Sequence, residues 1–176
     1  AGVASELTAA YAPVLADPAA FDGRHPDGTS RQLVWGVARL LADAGASDPA
    51  LALHRYHVTA ADTDVRRRAA LVNLGALHLH RGELDAAADA FEQVLEGGHD
   101  YRAAALANLA VVRRDQRRFD EAEELFAAAD RLNAAAGQVA DMQANLSGWV
   151  ELRRRRSDYE GALLLLRRQE QLCREL

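Results

Sequence analysis

The sequence predicts an all-α fold built from stacked helical hairpins, and three observations lead there. Good helix formers (Ala, Leu, Arg, Glu, Gln) are abundant, whereas there are only 4 prolines and 6% of the residues are aromatic. The sequence matches itself at a shift of 35 residues: Leu74 falls on Leu109, Leu84 on Phe119, Asp85 on Asp120, Ala87 on Ala122 and Phe91 on Phe126. Within one period, apolar residues recur at helical spacing on both sides of a glycine turn.

Taken in order, Ser5 to Leu15 reads as a helix and Phe21 to Thr29, with Gly23, Pro26 and Gly28, as a loop. Ser30 to Asp43 is a helix ending near Gly45, and Ser47-Asp48-Pro49 looks like the next helix start, a cap followed by proline in the first turn. Arg31 to Thr59 forms a degenerate first repeat, since Ala52 and Tyr56 stand 35 residues before Ala87 and Phe91. Arg67 to His80 is the first helix of a full unit, with Leu71, Leu74 and His78/Leu77 at helical spacing. Arg81-Gly82-Glu83 supplies the turn, where glycine can take positive φ. The second helix carries Ala87, Phe91 and Val94/Leu95 on one face, Ala87 permitting close approach and Phe91 filling the gap between repeats.

The next unit repeats this pattern, and a third is stretched. Phe119, Asp120, Ala122 and Phe126 recur 40 residues on as Tyr159, Glu160, Ala162 and Leu166. Asn145 to Tyr159 is three residues longer than Asn108 to Phe119, which turns side chains about 60° from a whole turn. A single hairpin cannot bury its apolar stripe, so neighbours must bury it jointly. The expected organisation is 1–66 for N-terminal helices with the degenerate repeat, then units 67–101, 102–136 and 137–176. The sequence lacks an initiator Met and stops inside a helical pattern at Leu176, which reads as a fragment of a longer protein.

These residues resemble the tetratricopeptide repeat family, the match lying in Leu74-Gly75, Gly82, Ala87 and Phe91 and then in Leu109-Ala110, Ala122 and Phe126. It covers roughly Arg67 to Arg131 and extends to Leu176 with the lengthened third unit; stretched units of that type occur in the kinesin-light-chain-like subgroup and in bacterial regulators. The resemblance implies a right-handed superhelical solenoid of about three to four antiparallel helix pairs, whose concave groove holds a protein or peptide.

Three asparagines stand at matched places, each before a leucine: Asn73, Asn108 and Asn145. Asn73 shares a stripe with Ala69, Ala76 and His80, Asn108 with Ala104, Val111 and Asp115, and Asn145 with Asp141, Gly148 and Leu152. The stripe differs from the one carrying Leu71 and Leu74. An amide can donate to and accept from a peptide group at once. The pattern is similar to the asparagine ladder of tetratricopeptide proteins that hold extended peptides. On that reading Asn73, Asn108 and Asn145 grip the backbone, while Ala76, His80, Val111, Arg114 and Asp115 line the groove and select side chains. The competing reading has each amide bonding its neighbouring helix and fixing repeat spacing.

Other classes find less support. No Walker loop, G-x-S-x-G or dinucleotide fingerprint appears, so no enzyme activity and no cofactor are expected. Six histidines show no metal-ligand spacing, and His78 reads as packed where the family has an aromatic core residue. The net charge of −5 argues against direct nucleic-acid binding. All 21 basic residues are Arg, which fits a bacterial, high-GC origin, and the arginine clusters read as a salt-bridged face. Cys173 alone fits a reducing, cytoplasmic compartment, and no apolar run is long enough to span a membrane. Leu163-Leu164 stands where the preceding unit has Glu123-Glu124, so this helix wants cover from a following repeat, from a folded-back cap, or from a second copy in a homodimer through the C-terminal end. The alternatives to peptide binding are a sensor or assembly domain of a larger bacterial regulator and a self-associating scaffold.

Overall fold

The computed structural model describes residues 2–22 and 29–174, and every regular element among them is an α-helix. The chain divides into two compact units, Ala1–Glu83 and Leu84–Leu176. The division falls within the expected 67–101 repeat.

The first unit holds α1 (Val3–Ala10), α2 (Ala12–Ala16), α3 (Pro18–Asp22), α4 (Thr29–Asp43), α5 (Ser47–Ala60) and α6 (Asp64–His80). Its core is set by α4, where Val34, Val37, Ala38 and Leu41 follow i, i+3, i+4 and i+7 and are all at most 2% exposed. Ala50 and Leu53 of α5 and Val14 of α2 join them. Asp22 at the end of α3 ties the unit together: it accepts from Tyr56 Oη at 2.9 Å and from Arg31 Nε at 3.3 Å, and Arg31 reaches on to Asp62 at 3.0 Å.

Four local expectations change. The helix read over Ser5 to Leu15 breaks at Tyr11 into α1 and α2, because Pro13 has no N–H for the Ala9 carbonyl and its ring would crowd that carbonyl. Ala46, not Ser47, stands at the cap of α5, with no side-chain cap bond. The first full repeat opens at Asp64, where Thr63 Oγ1 accepts from the Arg66 N–H at 3.3 Å. Of the loop read over Phe21 to Thr29, Phe21 and Asp22 complete α3, Thr29 opens α4, and 23–28 lie outside the described residues.

The second unit holds α7 (Leu84–Leu95), α8 (Arg102–Asp115), α9 (Phe119–Ala135), α10 (Val139–Arg155) and α11 (Tyr159–Arg174), each packed on its chain neighbour. Ala110, Ala122, Phe126 and Leu152 form one core cluster, all at most 1% exposed. Trp149 stacks on Phe126 with ring centroids 6.3 Å apart. Gly148 makes room for that ring, since a Cβ there would lie 2.9 Å from it.

One turn geometry ends α4, α6, α8, α9 and α10. Gly45, Gly82, Arg117, Gly137 and Ser157 have φ of 81, 74, 63, 65 and 60°. The following N–H returns to a carbonyl five residues back, at 2.8 Å from Ala46 to Leu41 and 2.9 Å from Glu83 to His78, for example. This is the double-bonded helix stop that favours glycine, yet Arg117 and Ser157 bear side chains in the left-handed region, which costs about 1–2 kcal/mol.

A buried imidazole pair lies against Trp35. His54 and His57 are 4% and 5% exposed, with ring centroids 6.0 and 5.0 Å from the indole. His54 Nδ1 and His57 Nε2 have no partner. Burial, with His57 adding its charge, pushes His54 down to about 4; burial also lowers His57 against a bond to the Val34 backbone.

Two predictions follow from these features. Replacing Arg117 or Ser157 by glycine should raise the unfolding free energy by about 0.5–1 kcal/mol, the relieved strain exceeding glycine's added unfolded-state entropy; urea melts measure this, and an unchanged or lower midpoint counts against it. An unfolded histidine titrates near 6.5, so between that pH and about 4 the unfolded chain takes up a proton that folded His54 refuses. The stabilisation is complete above 6.5, falls as the pH drops towards 4, and is on the order of 3 kcal/mol. His54→Gln should flatten part of the fall in urea midpoint between about pH 7 and 4.5; an equally steep fall in the variant refutes the assignment.

Candidate functional site

The candidate residues divide between the two units. In the first, α6 presents Asn73 between Ala69 and Ala76, all half-buried, with His80 exposed one turn on. Asn73's amide and the His80 imidazole form no hydrogen bond among the described residues. His78, on the opposite side of the helix, is 6% exposed, and its Nδ1 lies 2.5 Å from Glu83 Oε2. Arg81 joins the same carboxylate at 2.7 Å and Asp48 at 2.6 Å, fastening the end of α6 to the start of α5.

In the second unit, α8 presents Ala104, exposed, then Asn108 and Val111, both half-buried. Asn108 Nδ2 donates to its own helix at the Ala104 carbonyl, 3.0 Å away, and Oδ1 has no hydrogen-bond donor among the described residues. Val111 packs beside the Phe126 cluster, with its Cγ2 3.7 Å from the position of a Cβ on Gly148. α10 lies alongside α8 here. The pair is fastened at the end of α8, where Asp115 accepts from Arg114 Nε at 3.0 Å and from Arg155 Nη1 of α10 at 2.9 Å.

The charges form a continuous chain. Arg155 also donates to Glu151 at 3.0 Å, and Arg154 grips the same carboxylate through two bonds of 2.7 Å. Arg154, opposed by partial burial and helped by Arg155, holds Glu151 down at about 2. Arg114, with its side chain 12% exposed, is committed to Asp115, and Arg156 to Asp120 at 2.8 Å. Arg114 and Asp115, read from the sequence as groove charges, are thus paired with each other. The exposed pairs among these, such as Arg156–Asp120, contribute only about 0–1 kcal/mol each, so their effect is to fix geometry.

Asn145 occupies a different setting. It is 2% exposed, its Nδ2 donates to the Phe126 carbonyl of α9 at 3.0 Å, and its Oδ1 is buried without a partner. Leu152, further along its stripe, is 0% exposed. On α10 the corresponding stripe runs from exposed Asp141 through buried Asn145 and half-buried Gly148 to buried Leu152. The three asparagines therefore split: Asn145 pins helix to helix, whereas Asn73 and Asn108, on half-buried faces, have acceptors without a donor among the described residues.

A clamp that the sequence did not reveal joins α9, α10 and α11. Trp149 Nε1 donates to Glu123 Oε1 at 2.7 Å, Arg153 pairs with the same carboxylate and reaches Asp158 at 2.6 Å, and Asp158 Oδ1 accepts from the Gly161 N–H at 2.9 Å. The only local signal was Trp149 and Arg153 at i, i+4; Glu123 read as surface charge. On α11, Leu163 and Leu164 are 48% and 64% exposed. Among the described residues no three His, Cys, Asp or Glu side chains gather as metal ligands would, and no helix is long and apolar enough to cross a membrane.

No protein-family model matches this sequence, and no curated protein matches it. Solved structures match the fold. BtubC (BKLC) from P. vanneervenii is similar over 100% of this chain and 76% of its own, at 18% identity and a TM-score of 0.79. A kinesin light chain of nearly identical TPR-like repeats from P. anserina is similar over 96% of this chain and 86% of its own, at 19% identity and a TM-score of 0.67. The chain has the TPR-type fold of helical hairpins.

The split among the asparagines has a measurable consequence. Asn145→Ala should cost about 1–3 kcal/mol, because it removes a buried hydrogen bond and leaves a void. Asn108→Ala should stay within about 0.5 kcal/mol, since Asn108 bonds only its own helix at the surface. Urea denaturation of the two variants decides it, and equal losses would show that the sites are energetically alike.

Proposed function

We propose that this chain is a non-enzymatic scaffold that binds a protein partner through an extended peptide segment. The observation that carries this reading is Asn108: its Oδ1 has no partner among the described residues, and small Ala104 beside it leaves a ligand room. Asn73 supports it, with an unbonded amide between two alanines in its own unit. Each amide can accept a peptide N–H and, by rotating, donate to the next carbonyl. Ala76 and His80 would meet side chains in the first unit, and Val111, with the Arg114–Asp115 pair, in the second. Asn145, held by Phe126, supports the wall. Cys173 is exposed and free, which fits a reducing, cytoplasmic setting. Leu163 and Leu164 favour self-association as a second activity.

A diverse peptide array probed with the wild-type chain and with Asn73→Ala/Asn108→Ala tests the reading, both proteins first being matched for helicity and melting temperature. Capture by the wild type and a loss of about tenfold or more by the variant is the expected result, as removing two amide contacts implies. Equal capture by both, or none by either, refutes it.

A further inference from the structure

Helix α11 carries a self-complementary face. At about 100° per residue, Glu160, Leu163, Leu164 and Arg167 fall within one sector about 100° wide, and all four are exposed. The leucines form the centre, and the two charges of opposite sign stand three residues to either side. In the preceding repeat the same central places hold Glu123 and Glu124, and Glu123 is covered by Trp149 and Arg153 of α10. On α11 the covered place has become leucine.

The charges on and beside this face sort themselves. Arg168 is committed to Asp130 at 2.9 Å and Arg174 to Glu170 at 2.5 Å. Glu160 and Arg167 carry no ion pair or hydrogen bond among the described residues. Two opposite charges placed symmetrically about an apolar pair satisfy each other when a second copy packs antiparallel, because the two-fold axis then passes between Leu163 and Leu164 and brings Glu160 against the second copy's Arg167, twice. A parallel arrangement sets like charges together instead.

We propose that this chain forms an antiparallel two-fold dimer through α11, with Leu163 and Leu164 at its centre and reciprocal Glu160–Arg167 pairs at its edges. The dimer rests on the self-association reading of Leu163 and Leu164 and is independent of the peptide reading. One helix per copy buries less than the roughly 1,600 Å² of a standard interface, so the dissociation constant should be on the order of 10–100 µM and should rise with salt.

Sedimentation velocity from about 10 µM to about 1 mM tests it. The wild type should dimerise in this range. Glu160→Arg and Arg167→Glu should each weaken dimerisation by about tenfold or more, since each sets like charges together at both edges. An equimolar mixture of the two variants should associate as the wild type does, because one copy then offers two positive edges and the other two negative ones. Both substitutions lie on exposed positions, and unchanged circular dichroism confirms folding. A wild type that stays monomeric throughout, single reversals that leave dimerisation unchanged, or a mixture no better than either variant alone each overturns the proposal.

Discussion

The seating of Phe126 between α9 and α10 is the contact on which the second unit depends. A two-helix hairpin offers an aromatic ring only one wall, and the other must come from the next repeat. Here α10 supplies it with Leu152 from the core and the stacked Trp149, while Gly148 removes the one Cβ that would collide with the ring. The Phe126 backbone is used as well, its carbonyl taking the Asn145 amide. Side chain and main chain of one residue thereby fix both the spacing and the rotation of α10, and so decide which of its residues can face solvent.

Polar contacts do the complementary work of holding helix ends in register. Asp22 gathers α3, α4 and α5, Glu83 gathers the end of α6, and Glu123 with Arg153 and Asp158 gathers α9, α10 and α11. In each case a carboxylate lies near an element boundary, where apolar packing is thin and backbone groups need partners. Their contribution is to specificity of arrangement more than to net stability.

Most of the fold was legible because its signals are local and repeated: helical periodicity, a glycine at the turn, and small and aromatic residues at fixed offsets. The turns show where that runs out. Gly82 announced its positive φ, whereas Arg117 and Ser157 adopt the same conformation because the flanking helices impose it. Pro13 signalled a break that the apolar pattern over Ser5 to Leu15 masked. The candidate site was legible in part. Asn73, Asn108 and Asn145 are indistinguishable as sequence, and only the rotation of α10 separates the third from the others. Glu123 and Trp149 stand 26 residues apart, a separation at which no periodicity argument operates.

The two tryptophans have a practical consequence. Trp35 lies against the imidazole pair in the first unit, and Trp149 stacks on Phe126 in the second. Each unit therefore carries a single tryptophan, selectively excited above the tyrosine band, in a distinct environment, one beside rings that quench when protonated and one hydrogen-bonded to a carboxylate. Replacing either by phenylalanine leaves a label-free reporter of the other unit, so the order in which the two lose their packing can be read as two separate emission transitions.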